Sequence, residues 1–389
     1  MAFSQTTTPL ALLSSTSSNQ VHTKGEAYFN QLDGVRFIAV LLVLYDHWLA
    51  GYNTLPLGRL GVNIFFVLSG FLITRILLLS KDRYLNQEGG LGLYLKKFYV
   101  RRTIRIFPIY YLTILIAFIV NVIPVREKVW WCVLYAVNIY VGHYEHWLGV
   151  IDHFWSLAVE EQFYLFFPLV VFFVPIRHFT KILWIFIVGS ILLRTYYFVN
   201  GNDWIVSFVL MPTCLDAFGF GGLLAYLFVY QFDKFQVIFH HKALLWVGLI
   251  LLIGLLAVES IFFETQNNPA NVIFERLIAS IFCFFFIGNA VKGFTGAMKW
   301  LLENPASSYL GRISYGIYLY HNFVFNHYHT PATHPVARFM NRVHQHWPTV
   351  TNTYLFDFLV YSFLTVILAT ASWFLIEKPI NNLKNKFHY

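Results

Sequence analysis

An all-α membrane protein with about ten spanning helices is the fold this sequence predicts. Three observations carry the expectation. The 389 residues are 58% hydrophobic and only 12% charged, with a mean hydropathy of +0.58, far from the composition of a soluble domain. Apolar runs long enough to cross a bilayer recur along the whole chain. Basic residues gather in the short loops between alternate runs, so the formal charge of +8 marks topology and not nucleic-acid binding. Cys132, Cys214 and Cys283 lie far apart in apolar stretches, a spacing that fits neither a disulfide framework nor a zinc site.

Residues 1–28 are rich in Ser, Thr and Gln and lack a basic stretch ahead of a long apolar core, so a disordered cytoplasmic tail is expected there, not a signal peptide. The membrane domain is expected over 29–380, followed by a basic cytoplasmic tail over 381–389, with no appended soluble domain. The first span, Leu32 to Ala50, carries Asp33, Arg36, Asp46 and His47. Ionisable groups inside a span are costly and face a protein interior or a watery cavity. Arg36 and His47 are eleven residues apart, close to three turns, which puts both on one face roughly 16 Å apart along the axis.

Gly58 to Ser80 returns as the second span. Lys81 to Arg105 holds seven Lys or Arg against Asp82 and Glu88, which makes this loop, and with it the N-terminus, cytoplasmic. Phe107 to Ile123 runs outward. Trp130 to Val141 is apolar but too short for the ~20 residues a span needs, and is expected to be re-entrant or interfacial. Further spans follow over 156–175, 181–199, 212–231, 243–263, 272–292, 309–328 and 354–376. With 130–141 left out, most later Lys and Arg fall inside, and both termini are cytoplasmic. Were 130–141 to span, that bias would reverse.

Several constellations could carry chemistry. Glu160 and Glu161 open the fourth span at the depth expected for His47, where a carboxylate beside an imidazole suits a general base. The structural alternative is that Glu160 caps the helix and Glu161 pairs with an arginine. Arg101, Arg102 and Arg105 precede the third span, and Arg102 and Arg105 share a face where two guanidinium forks could clamp phosphates. Cytoplasmic flanking charge explains them as well. For Arg36 the plain partner is Asp33, one turn earlier. Tyr315, Tyr318, Tyr320 and His321 form an aromatic stripe in RISYGIYLYHNF, in which His321 is the ionisable member. Ser69, Trp155, Gln162, Tyr164, Tyr320 and His321 are the candidates for lining an acceptor path. The histidines between His327 and His346 match no standard metal-ligand spacing, so no metal is expected. Gly61, Ser69 and Gly70 permit close helix approach.

Five stretches, LDGVRFIAVLLVLYDHW, GVNIFFVLSGFLITRILL, RRTIRIFPIYY, FWSLAVEEQFYLFFP and ISYGIYLYHNF, together resemble the acyltransferase-3 family of integral membrane acyltransferases. They occur in the family's order across about residues 31 to 380. The resemblance implies about ten spans and transfer of an acyl group, typically acetyl from acetyl-CoA, to a hydroxyl of a carbohydrate or related acceptor. It places the family's essential Arg and His on Arg36 and His47, its Arg-x-x-Arg pattern on Arg102 and Arg105, and its acidic motif on Glu160 and Glu161. A bacterial plasma-membrane location and, in some relatives, an extracytoplasmic acyl-transfer partner or domain are implied in the same way.

The expected mechanism has acyl-CoA as a co-substrate with no tightly bound cofactor. Its phosphates lie near Arg102 and Arg105, and His47, oriented by Glu161, takes the acceptor proton. Arg36 steadies the oxyanion or binds the donor, and an acyl-enzyme through Ser69 or His47 is a variant. A transporter or flippase for a glycolipid or small metabolite is the alternative, since it too would use buried Arg, Glu and His.

Overall fold

The computed structural model describes residues 28–49, 55–86, 90–351 and 353–383. The tails expected over 1–28 and 381–389 lie almost entirely outside these residues. Among the described residues every regular element is a helix. The long ones are α1 (Asn30–Trp48), α2 (Leu57–Asn86), α3 (Gly90–Ile119), α4 (Phe154–Phe173), α5 (Ile176–Val199), α6 (Leu215–Tyr230), α7 (Ala243–Phe262) and α8 (Arg276–Lys292). Two short ones, α9 (Pro305–Arg312) and α10 (Ser314–Val324), lead to α11 (Tyr354–Ser372).

Among the described residues eight helices, α2 to α8 and α11, are long and apolar enough to cross a membrane. The chain is an all-α, multi-pass membrane protein. Two of the expected spans depart from a plain apolar helix. α1 carries its three charged residues and His47. The run over 309–328 is not one helix: it breaks at Ile313 into α9 and α10. The start of α9 is written locally, because Asn304 accepts from the Ser307 N–H at 2.9 Å and Pro305 occupies the first turn.

The basic stretch from Lys81 to Arg105 is also not a loop. α2 continues to Asn86 and α3 already begins at Gly90, so each is 30 residues long, about 45 Å against a hydrocarbon core of about 30 Å. Lys and Arg are good helix formers, and turn residues cluster at Asn86–Gly90. Lys81 itself is buried, and its ammonium donates to Val171 O at 2.8 Å and Val174 O at 2.6 Å, which caps the end of α4.

The segment near 130–141 expected as one short re-entrant or interfacial helix is two short helices, Val129–Val133 and Val137–Tyr144. Tyr135 turns between them with φ 50°, and its ring stacks on Tyr110 at 4.2 Å. A clasp ties the pair to α4: Gln162 Nε2 donates to Tyr135 O at 2.9 Å and to Asn138 Oδ1 at 2.8 Å.

Burial orders the bundle. The apolar stretch of α2 is 67% buried, that of α7 only 17%, as expected for a central helix and a lipid-facing one. α2 meets α6 backbone to backbone. A Cβ on Gly70 would stand 2.5 Å from Phe218 O, and one on Gly221 2.2 Å from Val67 O. α5 and α6 are joined by an ion pair absent from the sequence expectations, Arg194 to Asp216 at 2.7 Å, both sealed from solvent. At the start of α1, a Cβ on Gly311 would lie 1.8 Å from Asp33 O, so α9 pins the turn that carries Arg36.

Candidate active site

A cavity of about 250 Å³ opens between α1, α2, α3, α4 and α10. Its α2 wall runs from Val62 to Ile76, about 21 Å of helix, so the space is elongated along the bundle. Arg36, Arg102, Arg105, Glu160 and Glu161 all line it. Arg36 is paired with Asp33 at 2.5 Å, and Asp33 also accepts from the Tyr28 hydroxyl. Arg102 lies 3.7 Å over the Tyr164 ring, 3.8 Å from Glu160 and 4.0 Å from Glu161. Glu160 accepts from Ser69 Oγ and from the Tyr164 hydroxyl, both at 2.9 Å. Arg105 faces the cavity with no carboxylate within ion-pair distance among the described residues.

At the end of the cavity away from Arg36 stand Ser156 and Tyr318, whose hydroxyls are 2.5 Å apart. Behind Tyr318 lies a histidine cluster. His47 Nδ1 is 2.8 Å from His321 Nε2 and 3.0 Å from Asn322 Oδ1, and the His47 and His321 rings stack at 4.9 Å. His153 Nδ1 is 2.9 Å from Asn322 Nδ2. Asp152, next to His153, pairs with His329 at 2.5 Å. His47 is not among the residues lining the cavity; Tyr318, which is, has its ring 5.4 Å from that of His321, the direct neighbour of His47.

A second, smaller cavity of about 30 Å³ sits near the start of α2, where Arg59 bonds Asn271 at 2.5 Å and Glu275 at 2.7 Å. Asn271 and Glu275 belong to a π-helical turn, Ala270–Glu275, that precedes α8. Val62 and Phe66 line both cavities.

A family model described as an acyltransferase domain matches residues 29–375, nearly the whole bundle and every residue of the large cavity. The chain belongs to the acyltransferase-3 family. Among its relatives, "Putative O-acetyltransferase SACOL0978" of Staphylococcus aureus (strain COL) is 31% identical over 335 residues, 78% of this chain and 52% of that protein. "O-acetyltransferase OatA" of Staphylococcus aureus (strain NCTC 8325 / PS 47) is 28% identical over 379 residues, 91% of this chain and 57% of that protein. The chain thus spans about half the length of these relatives. No solved structure matches it.

In this acyltransferase-3 chain the residues expected at the site are gathered differently from the expectation. Glu160 and Glu161 do not orient His47; they face Arg102. Arg102 lies twelve residues into α3 and Glu160 six into α4, about 18 and 9 Å along their axes, so the two sides meet inside the bundle. His153, one residue before α4, is the member of that segment at the level of His47. Gln162 is a structural clasp and does not line the cavity, nor do Trp155, Tyr320 and Arg101. Trp155 packs against Phe208 at 4.6 Å and Phe66 at 5.9 Å. His321 contacts His47 directly. Among the described residues no group of His, Cys, Asp and Glu is disposed to hold a metal ion.

His153, Asn322, Ser156 and Ser314 were not singled out by sequence reasoning. A signal was present on α10: Tyr318 is followed by His321 and Asn322 at three and four residues, on the face it shares with them.

Proposed function

We propose that this chain is a membrane-embedded O-acyltransferase that moves an acyl group, acetyl in the simplest case, from acyl-CoA to a hydroxyl of a carbohydrate or glycolipid. The observation that carries the reading is the elongated cavity with cations toward one end and hydroxyls, backed by His47, at the other. An acyl-CoA is a polyanion joined to a thioester by a long thin arm, and that shape matches the cavity. Arg105 is the cation best placed for its phosphates, because Arg102 is engaged by two carboxylates and Arg36 by Asp33.

The thioester then lies at the Ser156–Tyr318 end. The acceptor oxygen bonds to the thioester carbonyl carbon, the C–S bond breaks, and His47 carries the hydroxyl proton toward the departing thiolate. The products are an ester and free CoA thiol. The Tyr318 hydroxyl, which donates to His153 O at 3.3 Å in the free protein, turns to the developing oxyanion, a role worth about 3 kcal/mol in acyl transfer. Acyl-CoA is a co-substrate, and the reaction needs no other cofactor. The Staphylococcus relatives favour a bacterial plasma membrane as the location. The wall of Val62 and Phe66 between the two cavities favours reaction over passage of a solute.

The test is acyl-CoA turnover by the purified protein in nanodiscs against a panel of carbohydrate acceptors. Acceptor-dependent thiol release is expected, reduced at least 100-fold in His47→Ala with acyl-CoA binding retained. A protein that binds no acyl-CoA, or a His47→Ala variant with undiminished turnover, would remove the assignment.

A further inference from the structure

We propose that the nitrogen of His47 that accepts the proton is Nε2, and that Asn322 and His321 hold the ring in that tautomer as positioning residues. The catalytic meaning of this inference rests on the acyl-transfer reading; the tautomer itself does not.

The argument starts from two backbone carbonyls, which only accept. His321 Nδ1 lies 2.6 Å from Tyr318 O, so Nδ1 carries a hydrogen. His153 Nε2 lies 3.1 Å from Leu319 O, so Nε2 carries the hydrogen there. Both rings are buried, at 0% and 1% exposure, and their hydrogen-bond partners include no carboxylate; a second proton on either would place an unpaired charge in the bundle. The remaining nitrogen of each is therefore an acceptor: Nε2 of His321 and Nδ1 of His153.

The His153 acceptor settles which way Asn322 points. The atom 2.9 Å from His153 Nδ1 must be the amide nitrogen, so the other is the oxygen. Asn326 Nδ2 donates to that same oxygen at 3.0 Å, which agrees. His47 Nδ1 thus faces two acceptors, His321 Nε2 at 2.8 Å and Asn322 Oδ1 at 3.0 Å. It can only be the donor. The lone pair of a neutral His47 is then on Nε2, and His47 is the least buried of the three rings.

When Nε2 takes a proton, Nδ1–H stays on the same two acceptors, and both hydrogen bonds become charge-assisted without any atom moving. The titratable groups facing His47 are His321, His153, and the Asp152–His329 pair. The arrangement does the work that a carboxylate does in a serine-protease triad, where the wrong tautomer costs about 10⁴ in kcat.

The experiment is nitrogen-15 NMR of the intact protein in nanodiscs with ring-labelled histidine, His47 being assigned from the spectrum that His47→Gln lacks. A proton on Nδ1 and a bare Nε2 are expected; a proton on Nε2 in the neutral ring overturns the inference even if the protein transfers acyl groups. Asn322→Leu and Asn322→Asp are then compared for acyl transfer. Asn322→Leu is expected to lower kcat about 100-fold with the KM for acyl-CoA unchanged. Asn322→Asp is expected to move the acid limb of the kcat/KM profile to higher pH. Unchanged kcat and pH profile in both variants overturn the positioning role. The predicted tautomer in a protein that turns over no acyl-CoA instead leaves the tautomer standing and removes the acyl-transfer reading. Because the NMR uses the unaltered chain, a variant that fails to fold does not decide the result.

Discussion

Arg102 and Glu160 meet 3.8 Å apart inside the bundle, with Glu161 at 4.0 Å and the Tyr164 ring 3.7 Å beneath the guanidinium. One cation thus answers two neighbouring carboxylates. Removing it breaks the ion pairs of both, whereas Arg105, 3 residues on, makes no ion pair among the described residues. Arg102→Ala should therefore destabilise the fold by about 3 kcal/mol or more. Arg105→Ala should leave the melting temperature nearly unchanged and raise the KM for acyl-CoA about 10-fold or more, the worth of a charge-assisted hydrogen bond. Thermal unfolding in nanodiscs and donor saturation curves separate the two. Equal stability losses would show that Arg105 is also structural.

The Arg194–Asp216 pair is fully buried and links α5 to α6. Asp216→Leu and Arg194→Met are each expected to cost about 3–5 kcal/mol by leaving a buried charge without its partner, while the two combined recover most of that loss. Thermal unfolding of the two single variants and the double variant forms the cycle that checks it.

Gly311 faces Asp33 O so closely that any side chain must displace α1. Gly311→Ala should lower both the melting temperature and acyl-CoA affinity, because the Asp33–Arg36 turn moves with the helix. Gly254→Ala on α7 meets nothing within 4 Å and should gain up to about 1 kcal/mol from helix propensity alone. If Gly311→Ala is as well tolerated as Gly254→Ala, the close approach of α9 to α1 is wrong.

The Gln162 clasp predicts a purely structural effect. Gln162→Ala frees Tyr135 O and Asn138 from α4 and should lower thermal stability by about 1–3 kcal/mol. In the surviving folded protein kcat should change only a few-fold. A large fall in kcat at unchanged stability would return Gln162 to the acceptor path.

Much of the fold was legible because it rests on local signals. Apolar run length placed α2 and α4 to α8, the shortness of 130–141 set that segment apart from the long helices, and Gly61 and Gly70 marked close helix contact. What escaped is set by distance partners and helix starts. Nothing near Lys81 in sequence says that its ammonium caps α4, and the charge run from Lys81 to Arg105 reads equally as loop or helix. The pairing of Arg102 with Glu160 needed the depth of two helices whose first residues are apolar and therefore ambiguous. Arg36, His47 and His321 were legible as costly groups in apolar surroundings. Asn322 and Ser156 were not, because a neutral polar residue in a span carries no comparable penalty and finds its partners on other helices.

Val62 and Phe66 belong to both cavities at once. Phe66 also stacks on Phe218 at 5.0 Å and meets Trp155 edge-on at 5.9 Å, so it cannot shift toward one space without withdrawing from the other. A substitution of Val62 or Phe66 that enlarges one chamber reshapes its neighbour. Attempts to retune the two independently should therefore show strong non-additivity at these positions, and a variant selected for a bulkier molecule on one side carries an altered preference on the other as a by-product.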